Sequence, residues 1–65
     1  MDLETLIRSH SDELTSRLSF ALSGDRHAAE DLTQEAFARA WRRLPDGLSP
    51  ERQRAWLKRT SHNLA

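Results

Sequence analysis

Gly24–Trp41 reads GDRHAAEDLTQEAFARAW, and the fold turns on this stretch. At about 100° per residue, Ala29, Leu32, Ala36, Phe37, Ala40, Trp41 and then Leu44 fall on one side of a helix. Asp31, Gln34, Glu35, Ala38 and Arg42 fall on the other. A face that needed only solubility would interleave Lys with Glu. This one sets acceptors in a short row with a small Ala beside them, which is the chemistry of a docking surface. The stretch also opens on a stop-start signal. Gly24 suits the left-handed position just past a preceding helix, and Asp25 offers an N-cap oxygen to the next.

Two further helices flank it. Leu3, Ile7, His10, Leu14, Leu18 and Ala21 recur at helical spacing and predict a first helix over about 2–23. The second runs over about 25–44. Leu44-Pro45-Asp46-Gly47-Leu48 then reads as a loop, because Pro disfavours helix before it and Asp-Gly favours a turn. Ser49-Pro50-Glu51 opens a third helix over about 50–65: an N-cap, Pro at the first helical position, an acid in the first turn. No strand alternation and no repeat is present. The expectation is an all-α, compact three-helix bundle, one domain over 1–65. Its core would hold Leu3, Ile7, Leu14, Leu18, Leu32, Ala36, Phe37, Ala40, Leu57 and Leu64, with the Trp41 ring over the core edge. Trp56 either packs or lies beside the basic face. The third helix meets no stop signal, so the domain reads as truncated at its C-terminal end.

Size and composition narrow the function classes. A chain of 65 residues buries only about 60% of its unfolded surface. It has no Cys, hence no disulfide framework and no thiolate metal site. No apolar run approaches the ~20 residues that span a membrane, and the acidic start MDLETLIRSH is not a secretory signal. A soluble, cytoplasmic protein is expected. Net charge is zero but unevenly placed. Residues 1–38 hold eight acids and three Arg, a balance of −5; residues 39–65 hold seven bases and two acids, a balance of +5. The split fits two partners of opposite sign, or two parts that attract each other within one domain.

Catalytic and metal chemistry find little support. Asp31 and Glu35 lie one turn apart on a solvated face, without the burial that general acid–base work needs. There is no nucleophile elbow and no Gly-rich phosphate loop. His10, His27 and His62 sit on three different helices with no ligand spacing; His10 reads as a boundary residue and His27 as exposed. The third helix is richer. Arg54, Lys58 and His62 line one face at four-residue spacing, flanked by Arg52 and Arg59, with Trp56 and Leu57 toward the other side. A basic strip near an aromatic suits phosphate contact and base stacking, although charge runs are more often solvated faces.

Taken together, Gly24-Asp25, Ala29-Glu30-Asp31-Leu32, Gln34-Glu35, Phe37, Trp41, Trp56-Leu57 and Asn63 resemble domain 2 of the extracytoplasmic-function sigma factors, within the bacterial sigma factor superfamily. The resemblance spans nearly the whole chain. It implies a non-enzymatic specificity domain without cofactor or metal. Asp31, Gln34, Glu35, Ala38 and Arg42 would meet the clamp helices of the RNA polymerase β′ subunit. The loop and third helix would melt the −10 promoter element, with a non-template base flipped into a pocket. Arg54, Lys58, Arg59, His62 and Asn63 would be the DNA-binding residues, Asn63 at the pocket and Lys58 and Arg59 at phosphates. The resemblance also implies control by an anti-sigma factor. Lys58 stands where the family often has an aromatic, and Thr60 where Ile is usual; these positions lie around the base pocket, so the resemblance does not fix which −10 sequence is preferred.

Two other readings compete. In a protein-only interaction domain, the second helix binds a helical partner and the basic face of the third is paired to acids inside the fold. In a general helix-turn-helix DNA binder, the third helix enters the major groove. The Leu44–Ser49 loop is long for that turn, however, and few recognition residues beyond Arg52, Gln53 and Arg54 stand at the start of the helix.

Overall fold

The computed structural model describes residues 2–64. It holds three helices, α1 (Leu3–Ala21), α2 (Arg26–Arg43) and α3 (Pro50–Leu64), and no strand among the described residues. Each helix starts where a side chain satisfies a backbone N–H that the helix itself leaves unpaired. Asp2 caps α1, accepting from the Glu4 N–H at 3.1 Å and the Thr5 hydroxyl at 2.8 Å. The Thr5 hydroxyl, helped by the backbone N–H groups, holds the Asp2 carboxyl below its ordinary value. Asp25 accepts from the Ala28 N–H at 3.0 Å, and Ser49 from the Arg52 N–H at 3.3 Å.

The α1–α2 corner is a Schellman turn. The Gly24 N–H reaches the Ser19 carbonyl at 2.7 Å, and the Ser23 N–H the Phe20 carbonyl at 3.2 Å. The left-handed position just past the helix therefore belongs to Ser23, at φ 59°, with Gly24 following at φ 85°. The sequence pattern places it one residue later, on Gly24. A Ser is tolerated there because both turn hydrogen bonds are made around it.

α1 and α2 pack most extensively. The core is Leu6, Leu14 and Leu18 from α1, Ala29, Ala36, Phe37 and Ala40 from α2, Leu44 from the loop and Leu57 from α3. Three fully buried alanines on α2 let the neighbouring backbones come close. Leu3, Leu22, Leu32, Leu48 and Trp56 are half-buried against this core, so both ends of the 44–49 loop are anchored.

Four expectations are corrected. Leu6, not Ile7, takes the interior position near the start of α1. Both satisfy helical spacing from Leu3, but Ile7 is left 38% exposed in a shallow α1–α2 groove with Leu3, Phe37 and Ala38. His10 is buried rather than at a boundary, because α3 lies beside it; its Nε2 has no hydrogen-bond partner. Trp41 does not cover the core and is 61% exposed. It lies about 100° round α2 from Ala40, beyond the buried face. Leu64 is only half-buried, near Trp56 in a cleft between α2 and α3.

The interior also contains hydroxyls. The Thr33 hydroxyl donates to the Ala29 carbonyl at 2.8 Å, so its single proton is used. The Thr15 hydroxyl, 3.0 Å away, is then the donor of the bond that joins α1 to α2. Thr33→Val strands that donor and is expected to cost about 1–2 kcal/mol. Thr15→Val is expected to cost less. The double Val variant should cost less than the two single changes combined, since no buried hydroxyl is then left unpaired. Urea unfolding of the four proteins checks this; additive costs would contradict it.

Candidate functional site

Asp31, Gln34, Glu35, Ala38 and Arg42 are all exposed on α2 and form one continuous stripe opposite the buried Ala29, Ala36 and Ala40. The helix alone produces this alignment, because the residues recur at three- and four-residue steps. The stripe is less uniformly acidic than its sequence. The Arg39 Nε lies 3.7 Å from the Glu35 carboxylate, one turn along, so Glu35 is partly engaged within its own helix. At that distance no hydrogen bond forms, and the buried Arg39 Nε has no other partner. Arg26 and Glu30 make a similar 3.7 Å pair near the start of α2.

Apolar surface borders the stripe. Gln34 and Ala38 share the α1–α2 groove with Leu3, Ile7 and Phe37, and the exposed Trp41 stands one turn beyond Phe37 and Ala38. Neither Ile7 nor Trp41 was assigned to this surface by pattern, since helical spacing alone put both toward the core. Phe20, 90% exposed at the end of α1, lies at the opposite end from Leu3.

The residues expected to meet DNA divide between two sides of α3. Lys58, Arg59 and His62 line a groove of roughly 490 Å³ between α1 and α3. Arg54 is beside them but pairs with Glu13 of α1 at 3.3 Å, both side chains remaining about half exposed. Asn63 faces elsewhere, into a cleft of roughly 280 Å³ between α2 and α3 with Arg39, Arg43, Trp56, Thr60 and Leu64. An amide, an aromatic edge and two guanidinium groups around one opening can hydrogen-bond and stack against a base. Trp56 thus does both things left open for it: it packs on the core and borders the cleft. Arg39 and Arg43 were missed as site residues. Their four-residue spacing at the end of α2 was the available signal, but only the placement of α3 shows what they face.

The charge split is partly internal. Glu13–Arg54 and Glu35–Arg39 join acids of the first part to bases of the second. Arg52, Lys58 and Arg59 make no ion pair among the described residues, so the basic face of α3 is not neutralised within the fold. Nor do the described residues contain a cluster of His, Asp and Glu able to hold a metal ion, or a helix long and apolar enough to cross a membrane.

The described residues thus form a small all-helical body with an acceptor-rich stripe on one helix and an unneutralised basic face on the next. The sequence family agrees: residues 6–65 match the sigma-70 region 2 family, and the chain belongs to it. It is similar to the ECF RNA polymerase sigma factor SigE of Mycolicibacterium smegmatis, at 43% identity over 94% of this chain and 23% of that protein. It is also similar to the probable RNA polymerase sigma factor RfaY of Xanthomonas campestris pv. campestris, at 42% identity over 74% of this chain and 12% of that protein. The chain thus spans less than a quarter of the length of these relatives. No solved structure matches it. Region 2 of a sigma factor is a helical domain of a transcription initiation factor, not an enzyme.

Proposed function

We propose that this domain docks on the clamp helices of the RNA polymerase β′ subunit through α2 and presents α3 and the 44–49 loop to the non-template strand of the −10 element. The observation that carries the reading is the pair of exposed, oppositely charged faces on adjacent helices of one bundle. Asp31 and Glu35 can accept charge-assisted hydrogen bonds from basic side chains on the polymerase, with Gln34 adding a donor and an acceptor. Arg54, Lys58, Arg59 and His62 are assigned to the DNA backbone. Asn63 is assigned to a flipped base in the α2–α3 cleft. Extruding a base costs a few kcal/mol, which pocket and backbone contacts can offset. An anti-sigma factor would act by covering either face, and the compartment is the cytoplasm.

Lys58 and Arg59 without acid partners favour this reading over a protein-only domain. The six-residue connection from Leu44 to Ser49 disfavours a helix-turn-helix, whose turn takes about 3–4 residues. The strand preference tests it. Fluorescence anisotropy should show tighter binding to a single-stranded non-template −10 oligonucleotide than to the same sequence as duplex, by about tenfold or more, since the duplex must first be unstacked. Equal affinity for both would instead support groove reading of the duplex.

A further inference from the structure

The groove between α1 and α3 carries a cation that no local pattern on α3 reveals. Leu14 and Leu18 form part of its floor; its rim is Arg17 from α1 and Lys58, Arg59 and His62 from α3. No carboxylate lines it. Arg54 lies 3.3 Å from Glu13 in the adjoining pocket, which Glu51, Arg17 and Lys58 also line. Arg17 is exposed and makes no ion pair among the described residues. Across the fold, then, Arg17 extends the run of positive charge along α3 onto a second helix.

Building on the assignment of α3 to DNA, we propose that Arg17 is a phosphate-contacting residue: the backbone of the bound single strand follows the α1–α3 groove, between Arg17 on one wall and Lys58, Arg59 and His62 on the other. The two sides of α3 give the direction. Asn63 and Trp56 open into the α2–α3 cleft, while His62, the preceding residue, faces the groove. A strand that turns its bases toward the cleft leaves its phosphates over the opposite flank of α3. There a linear polyanion meets cations from two helices, and the nearby Glu13 and Glu51 line the adjoining pocket rather than the groove itself. Each cation that neutralises a phosphate releases condensed counterions, and its contribution appears in the salt dependence of binding.

The test is a salt series of anisotropy titrations with the single-stranded −10 oligonucleotide and the 65-residue chain. Losing one phosphate contact reduces the slope of log K against log salt by about 0.7, a loss of about fivefold in affinity near ~0.1 M salt. Arg17→Gln should show both changes with unaltered helical circular dichroism, and Arg17→Lys should restore most of both. Lys58→Gln and Arg59→Gln serve as references. If they weaken binding while Arg17→Gln moves neither slope nor affinity, the inference is overturned and the DNA assignment of α3 stands. If none of the three weakens binding, that assignment fails and takes the inference with it. An acidic amphipathic peptide that loses affinity for Arg17→Gln while DNA binding is unmoved would show a protein segment in the groove, and would also overturn it.

Discussion

Replacing Asp31, Gln34 and Glu35 together by Ala is expected to lower affinity for a β′ clamp coiled-coil fragment at least about 100-fold. Hydrogen bonds to charged groups contribute roughly 1.5–3 kcal/mol each, so losing two carboxylates removes about 3 kcal/mol or more. Removing Glu35 also leaves the Arg39 guanidinium without the carboxylate 3.7 Å away, adding a bare cation beside a basic partner. The fold should not suffer. All three side chains are exposed, none joins α2 to another helix by a hydrogen bond, and Ala is the best helix former. Circular dichroism should therefore match the parent chain while binding, by isothermal calorimetry, is lost. Unchanged affinity would remove the docking role of this stripe.

The largest expected effect on stability is at Leu57. It is 1% exposed and is the fully buried apolar residue that α3 adds to the core, with Trp56 half-buried beside it. Leu→Ala at such a site costs about 2–5 kcal/mol. A chain this small draws only about 3–5 kcal/mol from its core. Leu57→Ala is thus expected to abolish cooperative folding at 25 °C or leave it barely measurable. Ile7→Ala removes a similar amount of hydrocarbon from a position 38% exposed and should cost about 1 kcal/mol or less. Urea melts of the two variants separate them. Equal losses would mean that the first turns of α1 and the middle of α3 are equally buried in solution, against the packing described.

Much of this was legible in the chain because the deciding signals are local. Gly24-Asp25 and Ser49-Pro50 punctuate the helices, and each predicted cap makes its hydrogen bond. The α2 stripe follows from helical geometry, so no tertiary information was needed to align Asp31, Gln34, Glu35, Ala38 and Arg42. What could not be read depends on how helices sit against one another. Leu6 and Ile7 are equivalent by spacing, and only the way the other helices pack against α1 decides between them. His10 is buried by α3, which is distant in sequence. The pairing of Arg54 with Glu13, the exposure of Trp41 and the division of α3 between two grooves are of the same kind. Arg17 is the extreme case: an isolated Arg on α1 gains meaning only when Lys58 and His62 stand across from it.

The central claim is that the outer stripe of α2 is the polymerase contact, and mapping the contact on the chain itself tests it most directly. Two-dimensional amide NMR of the 15N-labelled chain, titrated with a β′ clamp coiled-coil fragment, should show shifts concentrated at Asp31, Gln34, Glu35, Ala38 and Arg42, with the α3 amides of Lys58, Arg59 and His62 unmoved. Shifts centred on α3, or none at concentrations where binding is detected by calorimetry, would contradict it.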